Sequence, residues 1–158
     1  MEHGWVLSDE DLALAKKKGV VLVSTDFTVT ALMASGMEPD AAKRTHERYV
    51  ARLKRAWAAG LEVVFGTDVM SDAKGRTRGE LAMEYIDSFR EAGISGSDIL
   101  RAMTSRVAAL LGVEKERGAI RIGMAADLVA TPLNPLHEID GLKRINFVMK
   151  DGQVWRKP

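Results

Sequence analysis

The sequence contains no cysteine, which excludes disulfides and thiolate metal ligands and fits a reducing compartment. It has no apolar run near the ~20 residues that a membrane-spanning helix needs. Its first residues lack the charged-then-apolar pattern of a signal peptide. A cytoplasmic protein without a membrane partner is therefore expected. An excess of either charge is missing too: 23 Lys and Arg face 22 Asp and Glu, with the signs interleaved, so no basic face for nucleic acid is expected. Histidine is scarce, at His3, His46 and His137 only. With no thiolate available, any metal would be held by these and by carboxylates.

What is present suits a soluble globular chain. An apolar content of 46% over 158 residues is enough to bury a core in one domain, or in a large piece with a small appendix. Ser8 precedes DEDLALAKKK, an N-cap followed by acids in the first turn and lysines in the last, as the helix dipole favours. Gly19 ends that helix, and VVLVS (20–24) reads as a strand buried on both faces. The polar stretch 25–36 lacks a clean period and is expected as a long loop at the strand's carboxyl end, facing a crevice. A long helix is expected over 40–59, with Ala42, Tyr49, Val50, Leu53, Ala56 and Trp57 as its apolar stripe. His46 falls among Lys43, Arg44, Glu47 and Arg48 on its polar side, as a solvated residue.

LEVVF (61–65) reads as a second buried strand. The Gly- and Arg-containing segment 71–78 is expected as a mobile loop, followed by helices over 80–92 and, capped by Ser97, over 98–112. The texture then changes to short β-like runs: GAIRIG (118–123), DLVATPL (127–133), INFVMKDG (145–152) and QVWRK (153–157). Asp151-Gly152 joins the last two as a hairpin turn. Alternating helices and buried strands imply an α/β fold with parallel strands and crossover helices. The β-rich tail implies a separate small layer, so the expected division is 1–112 and 113–158.

Asp68 carries the strongest chemical signal. LEVVFGTD runs from an apolar strand through a glycine into an acid, the place where a strand's carboxyl end opens onto a ligand crevice. Alone, such an acid more often caps the next helix. Here the chain also opens with Glu2-His3-Gly4, and between Ile99 and Pro135 it reads LRAMTSRVAALLGVEKERGAIRIGMAADLVATPLNP before ending in MKDGQVW. Taken together and in this order, EHG at 2–4, FGTDV at 65–69 and the long C-terminal stretch resemble the amidohydrolase superfamily. The resemblance is to its imidazolonepropionase-like and Xaa-Pro dipeptidase-like members, and it covers essentially the whole chain.

The resemblance implies a metal-dependent hydrolase on a TIM (β/α)8 barrel, of which this chain would supply about strands six to eight with their helices, plus part of a small composite β-domain. It implies His3 as a metal ligand closing the sixth strand. It also implies Asp68, at the end of the eighth, as both metal ligand and general base. The cofactor implied is zinc, one ion or two, acting on a small amide or dipeptide substrate. The family's His-x-His pair of the first strand, its bridging lysine of the fourth and its histidine of the fifth have no counterpart here. The chain thus reads as a C-terminal piece, expected to be inactive alone. The competing expectation is a non-catalytic half-barrel that pairs with a second copy or with a separate N-terminal fragment, because the sixth strand would have an exposed edge and the apolar barrel interior no partner face. Asp127 and His137 fall in the β-domain of the family and are expected to be structural or superficial.

Overall fold

Two short strands, β1 (Val21–Ser24) and β2 (Glu62–Phe65), pair in parallel, and a third stretch joins them as Glu2 bridges Val23 in the same direction. The backbone groups of Val23 bond Met1 and His3, so β1 lies between the opening segment and β2. The computed structural model describes residues 1–69 and 75–158; the reading of 71–78 as a loop lies largely outside the described residues. The chain forms two compact units, Met1–Ser95 and Gly96–Pro158.

In the first unit, Ser8 and Asp11 form a reciprocal capping box at the start of α1 (Asp9–Lys17), satisfying two amides that would otherwise lack partners. The stretch expected as a loop contains α2 (Val29–Ala34), capped by the Thr28 side chain. Six residues are too few to show a helical period in sequence, and tertiary contact makes the helix: Leu32 packs with Ala42 and Tyr49 of α3 (Pro39–Ala58). Along α3 the buried side is Ala42, His46, Tyr49, Arg52, Leu53 and Ala56. The assignment of His46 to the solvated face is thus corrected. It lies four residues from Ala42 and three from Tyr49, on the same helical face, and polarity alone had placed it outside. The helix expected over 80–92 is two helices meeting at Tyr85, α4 (Arg78–Glu84) and α5 (Ile86–Glu91).

In the second unit the helix expected over 98–112 is again a pair, α6 (Gly96–Met103) and α7 (Ser105–Leu110), parted at Thr104. The unit ends in an antiparallel sheet of β3 (Leu128–Ala130), β4 (Phe147–Lys150) and β5 (Gln153–Arg156), in that order. Asp151 and Gly152 both have positive φ, which matches the right-handed twist of the hairpin strands. GAIRIG forms no strand. A strand needs a ladder partner, none pairs with it among the described residues, and Ile120 and Ile122 stay exposed. Asp127 accepts hydrogen bonds from the Asp151 amide at 2.7 Å, from Lys150 and from Arg117. These contacts, the amide first, hold its carboxyl down at about 2. Its role is to tie the hairpin together. His137 is exposed. Among the described residues no helix is long and apolar enough to cross a membrane.

Candidate functional site

His3 and Asp68 leave the carboxyl ends of the two segments that flank β1, and their side chains meet across it. His3 Nε2 lies 3.7 Å from Asp68 Oδ2, too far for a hydrogen bond. On its other side, the His3 ring has Nδ1 2.7 Å from Thr25 Oγ1, the residue that follows β1. With Nδ1–H donating to Thr25, Nε2 keeps its lone pair and points toward Asp68. An outer-nitrogen hydrogen bond of this kind fixes both tautomer and ring direction in metal-binding histidines.

Backbone strain singles out the same residues. Among the described residues, non-glycine positions with positive φ are His3 (63°), Asp68 (53°) and the hairpin Asp151. The left-handed region costs an L-residue roughly 1–2 kcal/mol. Such strain persists where surrounding structure enforces it, often at functional sites. Two residues before Asp68, Gly66 lies close against β1. A β-carbon there would lie 2.7 Å from Val23 Cγ1 and 3.3 Å from Thr25 Cγ2. Only glycine lets the end of β2 lie this close to β1, and that closeness brings Asp68 within reach of His3.

The loop after β1 is held from several sides. The buried Asp26 carboxylate accepts from Ser24 Oγ and from the Arg52 guanidinium, while its backbone carbonyl accepts from Ser88 Oγ at 2.9 Å. Burial raises the Asp26 carboxyl, opposed by the charge of Arg52 and the bonds from Ser24 and Arg52. His46 Nδ1 lies 3.0 Å from the Phe27 carbonyl and Nε2 2.9 Å from Glu91. Both partners are acceptors, so the ring satisfies both only when both nitrogens carry hydrogen. Phe27 and Trp5 then enclose the centre: the Trp5 ring centroid is 4.6 Å from that of His3 and 5.2 Å from that of Tyr49, which it stacks upon.

Donors of one zinc ion, bound at ~2.0–2.1 Å with angles near tetrahedral or somewhat wider, lie roughly 3.3–3.7 Å apart. The His3–Asp68 separation fits two members of such a set, and imidazole with carboxylate is a suitable donor chemistry. Among the described residues no third His, Cys, Asp or Glu joins them to complete a metal-holding group. Thr25, Asp26, His46 and Arg52 were not legible as supports of the site. Two signals pointed to them: the polar pair directly after a buried strand, and the helical phase of 46 and 52 with 42, 49, 53 and 56.

Parallel strands that deliver a histidine and an aspartate from their carboxyl ends to one point define an α/β protein with a candidate metal centre. The chain belongs to the amidohydrolase family, whose model matches residues 1–155; members of this family are generally metal-dependent. It is 26% identical to an ochratoxinase of Aspergillus niger, over all of this chain and 34% of that protein. Its fold is similar to a Xaa-Pro dipeptidase crystallised with methionine in its active site, with a TM-score of 0.80 and 25% identity over 98% of this chain. A crystallised amidohydrolase gives a TM-score of 0.80 at 28% identity over 99% of this chain. The chain spans 39% of each of these two structures. It is thus similar to little more than a third of its relatives' length.

Proposed function

We propose that this chain supplies the late-strand part of a metal-dependent amidohydrolase barrel, strands six to eight, whose whole protein hydrolyses a C–N bond in a small amide, dipeptide or cyclic amide. The observation that carries this reading is the His3–Asp68 pair, 3.7 Å apart on strand ends either side of β1. His3 would hold the ion, zinc by its donor chemistry, through Nε2, with Thr25 fixing the ring. Asp68 would be both ligand and base. When bound, a divalent ion polarises the carbonyl and lowers the pKa of water from ~15.7 towards ~7. Asp68 would take a proton from water and return it to the leaving amine, the work of a carboxylate placed next to the reacting atoms. Zinc sites use three or more protein ligands, and two are in view, so the described residues bind metal weakly and do not turn substrate over by themselves.

The test is a zinc titration of the 158-residue chain followed by the His3 ring resonances, together with an assay on N-acyl dipeptides. Weak binding that shifts Nε2 of His3, is lost in His3→Ala, and comes without turnover is the expected result. Zinc that leaves the His3 resonances unmoved would sink the reading of the centre. Stoichiometric tight zinc with rapid turnover would sink the claim that the site is incomplete.

One observation favours a second reading, an assembling half-barrel. Among the described residues β2 pairs only with β1, which leaves its far edge without a ladder. An unpaired parallel edge is a template for another strand, to be supplied by a second copy or by a complementary N-terminal segment. This reading is compatible with the first and differs in holding that assembly, rather than catalysis, is what the chain alone does.

A further inference from the structure

His46 is a buried titratable side chain that the proposed chemistry leaves unused. Its side chain is 9% exposed and lies between two acceptors on different elements, the Phe27 carbonyl 3.0 Å from Nδ1 and the Glu91 carboxylate 2.9 Å from Nε2. A neutral imidazole carries one N–H, so it serves one acceptor and turns a lone pair on the other. The two acceptors are not equal. The Phe27 carbonyl is backbone and cannot turn away, whereas the Glu91 side chain is half-exposed and can rotate into water. Losing the proton therefore leaves Nδ1–H on Phe27 and breaks the bond to Glu91. Among the described residues, Glu91 faces the ring from α5 and Asp26 from the loop after β1, while Arg52 of α3 is bonded to Asp26. Two carboxylates and one guanidinium thus surround the ring, and an imidazolium completes two ion pairs. Helix α2 carries no ionisable side chain, β2 carries Glu62 at its exposed first position, Lys43 of α3 is exposed, and Arg90 of α5 bonds Asp87.

We propose that His46 is a proton-dependent clasp between α5 and the loop that positions the site. Helix α5 bears on both strand ends: Ser88 Oγ donates to the Asp26 carbonyl at 2.9 Å, and Phe89 rests on Phe65 at the end of β2, with ring centroids 5.4 Å apart. As an imidazolium, His46 adds a third tie, from Glu91 through the ring to the Phe27 carbonyl. Phe27 lies two residues after Thr25, whose hydroxyl meets the His3 ring. With the tie made, the last turn of α5 is held against the loop. When the ring loses its proton, that turn is released and the loop loses the restraint. Imidazole is the side chain whose charge ordinarily changes in the physiological pH range, which makes the tie a switch rather than a fixed strut. His46 touches no reacting atom; it is a positioning residue that acts through Phe27 and Thr25. Its effect on metal rests on the reading of His3 and Asp68 above, whereas the clasp itself does not.

The test is an NMR titration of the 158-residue chain from about pH 5 to 9, across the range in which imidazoles change charge. In the wild type, the amides of Phe27, Ser88 and Ala92 should shift with the midpoint at which the His46 ring itself titrates. The Ala92 and Ile94 amides bond carbonyls of α5, and their protection from hydrogen exchange should fall about tenfold above that midpoint, the worth of a hydrogen bond to a charged group. Glu91→Gln separates the clasp from an ordinary structural histidine. A side-chain amide accepts from the charged ring and donates to the neutral one, so the tie survives on both sides of the titration and protection should stop changing with pH. His46→Ala should show the low protection throughout; if it does not fold, the Glu91→Gln comparison stands by itself. Zinc affinity is taken as the ratio of wild type to Glu91→Gln at each pH, so that proton competition at His3 cancels, and this ratio should drop several-fold across the same midpoint. Amides that ignore the ring's titration, or a Glu91→Gln protein that keeps the wild-type pH response, would overturn the proposal. So would a flat ratio while zinc still contacts His3. Zinc that never contacts His3, with the amide signature intact, would leave the clasp standing and sink the metal reading instead.

Discussion

Thr25 supplies what a histidine near a chain terminus lacks, a fixed direction. A solvated ring at His3 would sample many rotamers; the 2.7 Å contact from Nδ1 to Thr25 Oγ1 holds Nε2 toward Asp68. Thr25→Val keeps the shape and removes the oxygen, and it should weaken zinc binding by about 10–100-fold, the usual cost of losing such a support. Thermal unfolding should hardly change, and a zinc titration beside a melt separates the two. Asp26 and Arg52 test a different matter. Both are fully buried, and Arg52 leaves Nε and Nη1 without partners among the described residues, so the pair is imperfectly satisfied. Arg52→Ala strands a buried carboxylate and should cost about 3–5 kcal/mol, whereas Asp26→Leu with Arg52→Met should recover most of that. Urea denaturation of the three proteins measures it. A double variant as unstable as the single would show that the pair itself is indispensable.

At the scale of elements, the closeness of β1 and β2 is what makes a site. Gly66→Ala drives a methyl into Val23, 2.7 Å from its Cγ1, and such overpacking typically costs about 1–3 kcal/mol. The larger effect should be on geometry. The end of β2 must move outward, carrying Asp68 away from His3, so zinc binding should fall by more than the stability loss explains. Val23→Ala in the same chain should restore part of both. Denaturation midpoints and zinc affinities of the single and double variants check this. Elements also show where the sequence was legible. The capped helix α1, the positions of both parallel strands, the long helix α3 and the Asp151-Gly152 hairpin follow from local rules of period, cap and turn, although the strands are buried only in part and not on both faces throughout. Helix α2 did not, because six residues owe their helicity to Leu32 packing on Ala42 and Tyr49. The split of the later helices at Tyr85 and Thr104 was hidden for the same reason, since the apolar stripe runs on through each break.

For the molecule as a whole, free edges and exposed apolar side chains set its behaviour in solution. In the second unit Ile122 and Ile120 are almost fully exposed, and Trp155 is 70% exposed. Large apolar groups left in water, together with an edge of β2 that has no ladder partner among the described residues, favour association. Light scattering at micromolar concentration should therefore show dimers or larger species, with binding of a dye such as ANS that falls as they form. A monodisperse monomer that binds no dye would count against the assembly reading and leave the metal centre untouched.

The sequence by itself determined the chemistry available and its family: no thiolates, three histidines, an acid at a strand end, and motifs whose order matches amidohydrolases over residues 1–155. These are properties of residue type and spacing, which need no folded context. Only the tertiary structure decided which residues meet. It brought His3 to 3.7 Å from Asp68, set Thr25 against the ring, drew His46 and Arg52 inward to hold the loop between them, and closed Trp5, Phe27 and Tyr85 around one cavity. Each of these joins residues 19 or more positions apart, and such contacts depend on parallel strand pairing and helix phase, which no local pattern encodes.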